Sequence, residues 1–188
     1  FGTVETSFAY CHVKNPEIEI NTDWPGCRGS ETVPTVLRYD SDFNVISWGY
    51  PALVESPIRG KAVKKQDGKV VESFKLYLYN DIIQEKLPIL PAGLSYEKAI
   101  TDYLNEIYKL IYGLLLLRWP SIKPEHVKYI FNVPDNWSQH QLRILQNCIF
   151  KAGYISSLQS KNLEFAKESE AISHYSVNEI TKLNLNLP

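Results

Sequence analysis

Short runs of alternating apolar and polar residues dominate the N-terminal quarter of the chain. Residues 6–13 and 17–20 alternate on either side of Asn15-Pro16, which is typical of a β-hairpin. Residues 35–39 and 45–48 repeat the pattern around the polar segment Asp40-Ser41-Asp42, which predicts a second antiparallel pair. The chain is therefore predicted to begin with a region that is mainly β.

A helical period replaces this alternation after Ser95, which is the predicted N-cap. Apolar side chains then recur at helical spacing from Ile100 to Leu114, as expected of a core helix. The most apolar segment, residues 110–117, has about half the length that a bilayer crossing needs. No membrane partner is predicted.

A β-α-β-α order follows in the C-terminal half. Residues 126–133 alternate as a strand that stops at Pro134, and Ser138 with Gln141 forms a predicted capping box for a helix that ends at Gly153. The segment NLEFAK then predicts a strand, with Glu168 at its junction with a short helix. This order predicts an α/β fold with a mixed β-sheet flanked by helices.

Composition excludes several classes of protein. The net charge of -1 provides no basic field, so neither nucleic acid nor an anionic membrane is a predicted partner. Three scattered cysteines fit neither a disulfide framework nor a paired-cysteine metal site, which favours a reducing setting, either cytosolic or nuclear, and the cytoplasm is the predicted compartment. The chain begins at Phe1 and contains no methionine, so we expect a piece of a longer protein.

The opening stretch FGTVETSFAYC has the form of a tight turn that leads into a strand. A glycine such as Gly2 lets a backbone approach a phosphate, and the hydroxyl of Thr3 and the following amides are suitable donors to its oxygens. A glycine–threonine pair is also common in ordinary strand turns, so it does not identify a phosphate site by itself.

Six segments together carry a family resemblance: FGT, WGYPA, FKLYL, the long helix before RWP, FNVP and KESEA, in this order. The chain resembles the N-terminal lobe of the actin-like ATPase domain of the seventy-kilodalton heat-shock protein family, in a divergent branch abundant in fungi. The resemblance implies a ribonuclease-H-like lobe over residues 1–175, with residues 176–188 as a tail or the start of a continuation. It also implies that residues 126–133 share a sheet with residues 6–13.

The resemblance implies ATP and Mg²⁺ as ligands, with unfolded client proteins and co-chaperones as partners of the whole protein. Gly2, Thr3 and Val4 fall on the positions that contact the phosphates. Lys75 falls where a lysine positions the attacking water and stabilises charge on the γ-phosphate, and Glu168 falls on the glutamate that handles metal-bound water. These residues are expected to converge on one concave face.

Each catalytic assignment has a structural alternative. Lys75 is equally typical of a surface lysine on an amphipathic strand. Glu168 is also explained as a carboxylate stabilised by the dipole at a helix N-terminus.

The chain also departs from the family pattern in ways that weaken a phosphate site. Val4 stands where the branch has a second threonine, Glu5 adds a negative charge, and Ser7 replaces a glycine. Ser169 replaces the proline that follows the glutamate, which predicts a looser turn. The family's second phosphate loop and adenosine motif lack a counterpart in this chain, since the sequence has no Gly-Gly pair.

Two functions remain from these observations. One is an ATP-binding and ATP-hydrolysing lobe of a heat-shock-type chaperone. The other is a degenerate pseudo-ATPase that retains the fold as a protein-interaction module but has lost tight nucleotide binding.

Overall fold

A computed structural model describes residues 1–54, 68–79, 85, 87–171 and 173. The chain divides into two compact units, Phe1–Ile111 and Tyr112–Pro188. The predicted tail at residues 176–188 lies outside the described residues. Within them, the mixture of helices and small sheets confirms the α/β class.

The strands and α-helices are numbered in chain order. They are β1 (Glu5–Thr6), β2 (Ala9–His12), β3 (Asn15–Ile20), β4 (Asp23–Trp24), β5 (Cys27–Arg28), β6 (Val33–Pro34), β7 (Val36–Tyr39), β8 (Val45–Trp48), α1 (Tyr50–Leu53), β9 (Lys69–Glu72), α2 (Tyr96–Arg118), β10 (Tyr129–Val133), α3 (Gln139–Lys151) and β11 (Leu163–Lys167). Among the described residues, Phe74–Leu78 and Pro124–His126 form 3₁₀ helices between these elements.

A three-stranded antiparallel sheet forms the centre of the first unit. Strand β7 lies between β8 and β9, and all four of its residues are buried. Leu37 is paired with Trp48 on one side and with Val71 on the other. The predicted strand pair at residues 35–39 and 45–48 is confirmed. Val36, Leu37 and Tyr39 are buried apolar or aromatic residues of the central strand, and the buried Arg38 donates to the carbonyl oxygen of Ala52.

The predicted N-terminal hairpin is also present, although its turn is displaced. Strand β2 pairs with β3, and the turn occupies residues 13–14. Asn15 and Pro16 instead begin β3. A proline is accommodated at the start of such a strand because no ladder hydrogen bond from its nitrogen is required there.

The long helix α2 begins as predicted. The amide of Lys98 donates to Ser95 Oγ at 3.1 Å, so Ser95 caps the helix N-terminus. Ile100, Tyr103 and Leu104 are buried on one face at the predicted helical spacing. Among the helices of the described residues, none combines the length and apolarity that a membrane crossing requires.

The second unit contains a parallel β-α-β arrangement. Strands β10 and β11 are parallel, and α3 lies between them in the chain. The buried residues of α3 include Leu145, Cys148 and Ile149. Ser138 and Gln141 form the predicted capping box. Gly153, at φ 94°, adopts the left-handed conformation that ends the helix, as predicted.

The prediction of one mixed sheet is wrong for the residues that the structure describes. Strand β10 pairs with β11 in a two-stranded parallel sheet, whereas β2 pairs with β3 in a separate antiparallel hairpin. Residues 126–133 and 6–13 therefore do not share a ladder. Alternation identified each strand correctly, but it specifies which face a strand buries and not which neighbour its edge meets.

Candidate functional site

The opening turn (residues 1–5) leads into β1, which pairs with β6. A Cβ atom placed on Gly2 would lie 2.2 Å from the carbonyl oxygen of Glu5, so only glycine fits there. The sequence predicted this glycine from the approach of a phosphate. The structure shows a different reason for the glycine, because the turn closes so tightly on its own backbone that a side chain at this position would collide with it.

Thr35, at the start of the central strand segment, contacts both ends of the opening turn. Its amide donates to the carbonyl oxygen of Val4 at 2.8 Å, and its hydroxyl donates to the carbonyl oxygen of Gly2 at 3.1 Å. The hydroxyl of Thr6 lies 2.9 Å from the Thr35 hydroxyl. The sequence analysis missed Thr35, although a threonine within the apolar segment VPTVL was a usable signal.

Lys75 lies on the 3₁₀ helix Phe74–Leu78, and the alternative of a surface lysine on a strand is therefore wrong. Its side chain is almost completely buried, and Nζ donates to the carbonyl oxygen of Phe1 at 2.6 Å. The same nitrogen lies 5.1 Å from the centre of the Phe1 ring, within cation–π range. Lys75 is thus part of the opening turn's support despite the distance in sequence.

Tyr103 of α2 lies among the aromatic side chains behind the turn. The centre of its ring lies 5.9 Å from the ring centre of Phe1, 6.0 Å from that of Trp48 and 5.9 Å from that of Phe74. Its hydroxyl donates to the carbonyl oxygen of Pro34 at 3.2 Å. Burial raises the pKa of Tyr103 to about 12, partly offset by hydrogen bonding with the two threonines.

The exposed residues of the opening turn do not favour the binding of an anion. Thr3 is half-buried, whereas Val4 and Glu5 are exposed. The backbone of Val4 is held by Thr35, and its side chain is 71% exposed. The phosphate contacts predicted for Gly2, Thr3 and Val4 remain predictions.

Glu168 lies in the second unit, in a helical segment that directly follows β11, and it is exposed. The next residue, Ser169, donates from its amide to Asp135 Oδ2 at 3.3 Å and from its hydroxyl to Asp135 Oδ1. A proline nitrogen could not make the first of these bonds. The loosening predicted for this turn is therefore offset by the link to Asp135, a residue that the sequence analysis also missed.

The structure thus brings part of the predicted site together. Lys75 meets the opening turn within the first unit, while Glu168 and Asp135 are neighbours of the two parallel strands in the second. Convergence of Glu168 with the opening turn remains a prediction.

A dedicated metal cage is not seen in the described part of the chain, where no three histidine, cysteine or acidic side chains cluster. Magnesium that accompanies a nucleotide is usually held by one or two carboxylates together with phosphate oxygens. Glu168, exposed at the end of a strand, fits the role of one such carboxylate.

Comparison with known proteins gives no family assignment. No protein-family model matches the chain, and no curated protein matches it. Any functional argument therefore depends on the residues and contacts of this chain.

Proposed function

We propose that the chain is an ATP-binding and ATP-hydrolysing lobe of a heat-shock-type actin-like ATPase domain, working in the cytoplasm. The observation that carries the proposal is the 2.6 Å hydrogen bond between Lys75 Nζ and the carbonyl oxygen of Phe1. The family resemblance assigned Lys75 and the opening turn to one phosphate site, and chain proximity does not explain their contact. The finer fold, a ribonuclease-H-like lobe, is part of this proposal, and the separate sheets of residues 6–13 and 126–133 are the observation against it.

The chemistry of phosphoryl transfer suits this arrangement. Catalysis of that reaction depends mainly on positioning and on charge stabilisation, and Lys75 supplies a cation at the turn. Because a trans peptide directs its C=O and N–H to opposite sides, the Phe1 carbonyl that faces Lys75 turns the amide of Gly2 the other way. Successive amides of a tight turn can form an anion-binding concavity.

Glu168 is the proposed carboxylate that positions water. Bound Mg²⁺ would neutralise charge on the phosphates. An exposed carboxylate at the end of β11 can accept hydrogen bonds from water, and the Asp135–Ser169 contact fixes the backbone that carries it.

A pseudo-ATPase is the second candidate, and the environment of Lys75 favours it. The Lys75 side chain is only 3% exposed and already donates to Phe1, so a phosphate would have to compete with that carbonyl. Val4 and Glu5 on the exposed side add neither a hydroxyl nor a positive charge. In this alternative the fold would serve contacts with client proteins or co-chaperones.

Calorimetric titration of the chain with Mg-ATP tests the main proposal. We expect weak binding, with a dissociation constant near millimolar and a free energy of about −4 kcal/mol, because the sequence has no second phosphate loop. Lys75→Met should abolish the heat signal, and the matched control Lys109→Met, on an exposed lysine of α2, should leave it unchanged. A low-micromolar dissociation constant would contradict the view that this chain contains only part of the nucleotide-binding site.

Hydrolysis separates the two candidates. A two-lobed protein that supplies the second phosphate loop should turn ATP over, and Glu168→Ala should abolish turnover while nucleotide binding persists. Neither tight binding nor turnover in that two-lobed protein would support the pseudo-ATPase.

A further inference from the structure

Thr35 is fully buried and makes two hydrogen bonds to the opening turn, one from its amide to Val4 and one from its hydroxyl to Gly2. We propose that Thr35 is the positioning residue that holds this turn in its phosphate-binding conformation. The inference rests on the proposed function, because it assigns a purpose to the turn's shape.

The two threonine hydroxyls near the turn have one proton each, which limits the hydrogen bonds that they can donate. Thr35 has one hydroxyl proton, and it is donated to the carbonyl oxygen of Gly2 at 3.1 Å. The Thr6 hydroxyl lies 2.9 Å from the Thr35 oxygen, and both threonines also interact with the Tyr103 hydroxyl. Thr6 is 3% exposed, so both hydroxyls lie in the interior, where an unpaired polar group is costly.

These bonds decide where the turn's amides point. The Gly2 carbonyl faces Thr35, so the amide of Thr3 across the same peptide plane points away from Thr35. The Val4 carbonyl also faces Thr35, so the amide of Glu5 is turned away in the same manner. Thr35 therefore directs two amides of the turn outward, as an anion site requires.

Neighbouring contacts leave this task to Thr35. Lys75 binds the carbonyl of Phe1, and the hydroxyl of Tyr103 binds the carbonyl of Pro34. Neither of these two bonds restrains the peptide between Gly2 and Thr3. If the Thr35 hydroxyl is lost, that peptide loses a hydrogen bond that restrains it, and the apparent affinity for phosphate falls in proportion to the fraction of molecules that keep the binding conformation.

Three variants test the role of the hydroxyl. Thr35→Val removes it and keeps the branched shape, whereas Thr35→Ser keeps it and removes only the methyl group. Thr22→Val is the matched control, because Thr22 is an exposed threonine of the same unit. Two quantities are measured by nuclear magnetic resonance: hydrogen exchange of the residue 35 amide, which donates to Val4 of the turn, relative to the amides of α3, and the apparent dissociation constant for Mg-ATP.

We expect Thr35→Val to raise exchange at the residue 35 amide about tenfold and to weaken the apparent affinity for Mg-ATP by about the same factor, the value of one lost hydrogen bond. Thr35→Ser and Thr22→Val should stay within about threefold of the unaltered chain in both quantities. If Thr35→Val does not fold, Thr6→Val replaces it, and a smaller rise at the same amide is expected. The loss in Thr35→Val with rescue by Thr35→Ser is what a merely space-filling threonine would not give.

The outcomes distinguish this inference from the proposed function. Unchanged exchange and affinity in Thr35→Val, or equal defects in Thr35→Ser, overturn the positioning role and leave the proposed function standing. Faster exchange in Thr35→Val, together with no response of even the unaltered chain to Mg-ATP, supports the hold of Thr35 on the turn and overturns the proposed function.

Discussion

Two turns carry the candidate residues, and they are stabilised in different ways. The opening turn (residues 1–5) is held by Thr35 and Lys75, whose side chains are 0% and 3% exposed. The strand-to-helix junction at residues 167–170, called the Glu168 turn below, is held by an exposed contact between Asp135 and Ser169. A candidate phosphate contact is thus part of a protein core, whereas the candidate water-positioning carboxylate lies on a surface.

This difference has an energetic consequence. Groups that hold the opening turn also pack the first unit, so substitutions there should lower both its stability and the order of the turn. Groups that hold the Glu168 turn exchange their hydrogen bonds with water easily, so substitutions there should have small, local effects.

The largest effect is expected for Tyr103→Ala. The side chain is fully buried against three aromatic rings, so its removal should lower the free energy of unfolding by about 3–5 kcal/mol. Urea denaturation followed by tryptophan fluorescence measures this change. Tyr103→Phe keeps the ring and loses the hydroxyl, with its bond to Pro34 and its interactions with Thr6 and Thr35, so it should cost about 1–2 kcal/mol. Equal effects of the two variants would show that the ring is not part of the core.

Alkaline pH should give the next largest effect. The folded pKa of Tyr103, about 12, lies above the ordinary value of 10.0, so the fold favours the neutral phenol. This stabilisation is complete below pH 10 and is lost as pH rises through the folded pKa, by about 2–3 kcal/mol in total. Burial, with a smaller contribution from Asp102, also raises the pKa of Tyr39, which acts in the same direction.

Urea midpoints between pH 9 and pH 12 measure this loss. Tyr103→Phe lacks one of the two phenols, so its stability should fall less steeply over the same range. Parallel curves for the two proteins would refute the assignment to Tyr103.

A moderate effect is expected for Lys75→Met. Methionine keeps much of the buried chain length but leaves the Phe1 carbonyl without its ammonium donor, which should cost about 1–3 kcal/mol. Lys109→Met, on an exposed lysine, should change the free energy of unfolding by less than about 0.5 kcal/mol. Should the two variants be equally stable, Lys75 would not hold the turn.

The smallest effect is expected for Asp135→Ala. Removal of the acceptor should speed hydrogen exchange at the Ser169 amide by about threefold and leave the urea midpoint unchanged, because the contact is exposed. Asp135→Asn keeps an acceptor oxygen, so its exchange rate at the Ser169 amide should lie between those of Asp135→Ala and the unaltered chain. A large loss of stability in Asp135→Ala would remove the contrast between the two turns.

Features encoded by neighbouring residues were predictable from the sequence. Ser95 at the start of α2, the capping box of Ser138 and Gln141, and Gly153 at the end of α3 all appear as predicted. Each depends on residues within one or two helical turns of each other, so a local pattern contains the information.

Contacts between distant residues were not predictable in the same way. The bonds of Thr35 to Gly2 and of Lys75 to Phe1 join residues 33 and 74 positions apart, and no periodicity encodes them. The residues around Lys75 are also typical of an amphipathic strand, and their pattern does not reveal the 3₁₀ helix that follows Ser73 at φ 57°. The mixed sheet failed for a related reason, because strand patterns do not specify strand partners.

The proposed role of the opening turn is tested most directly by mapping amide resonances of the chain during titration with Mg-ATP. The account predicts that the largest shifts occur at Thr3 and Glu5, whose amides the Gly2 and Val4 carbonyls turn away from Thr35. It also predicts that these shifts disappear in Lys75→Met and persist in Lys109→Met. Shifts that avoid residues 1–5, or that survive unchanged in Lys75→Met, would contradict the claim that this turn and its buried lysine form the phosphate contact.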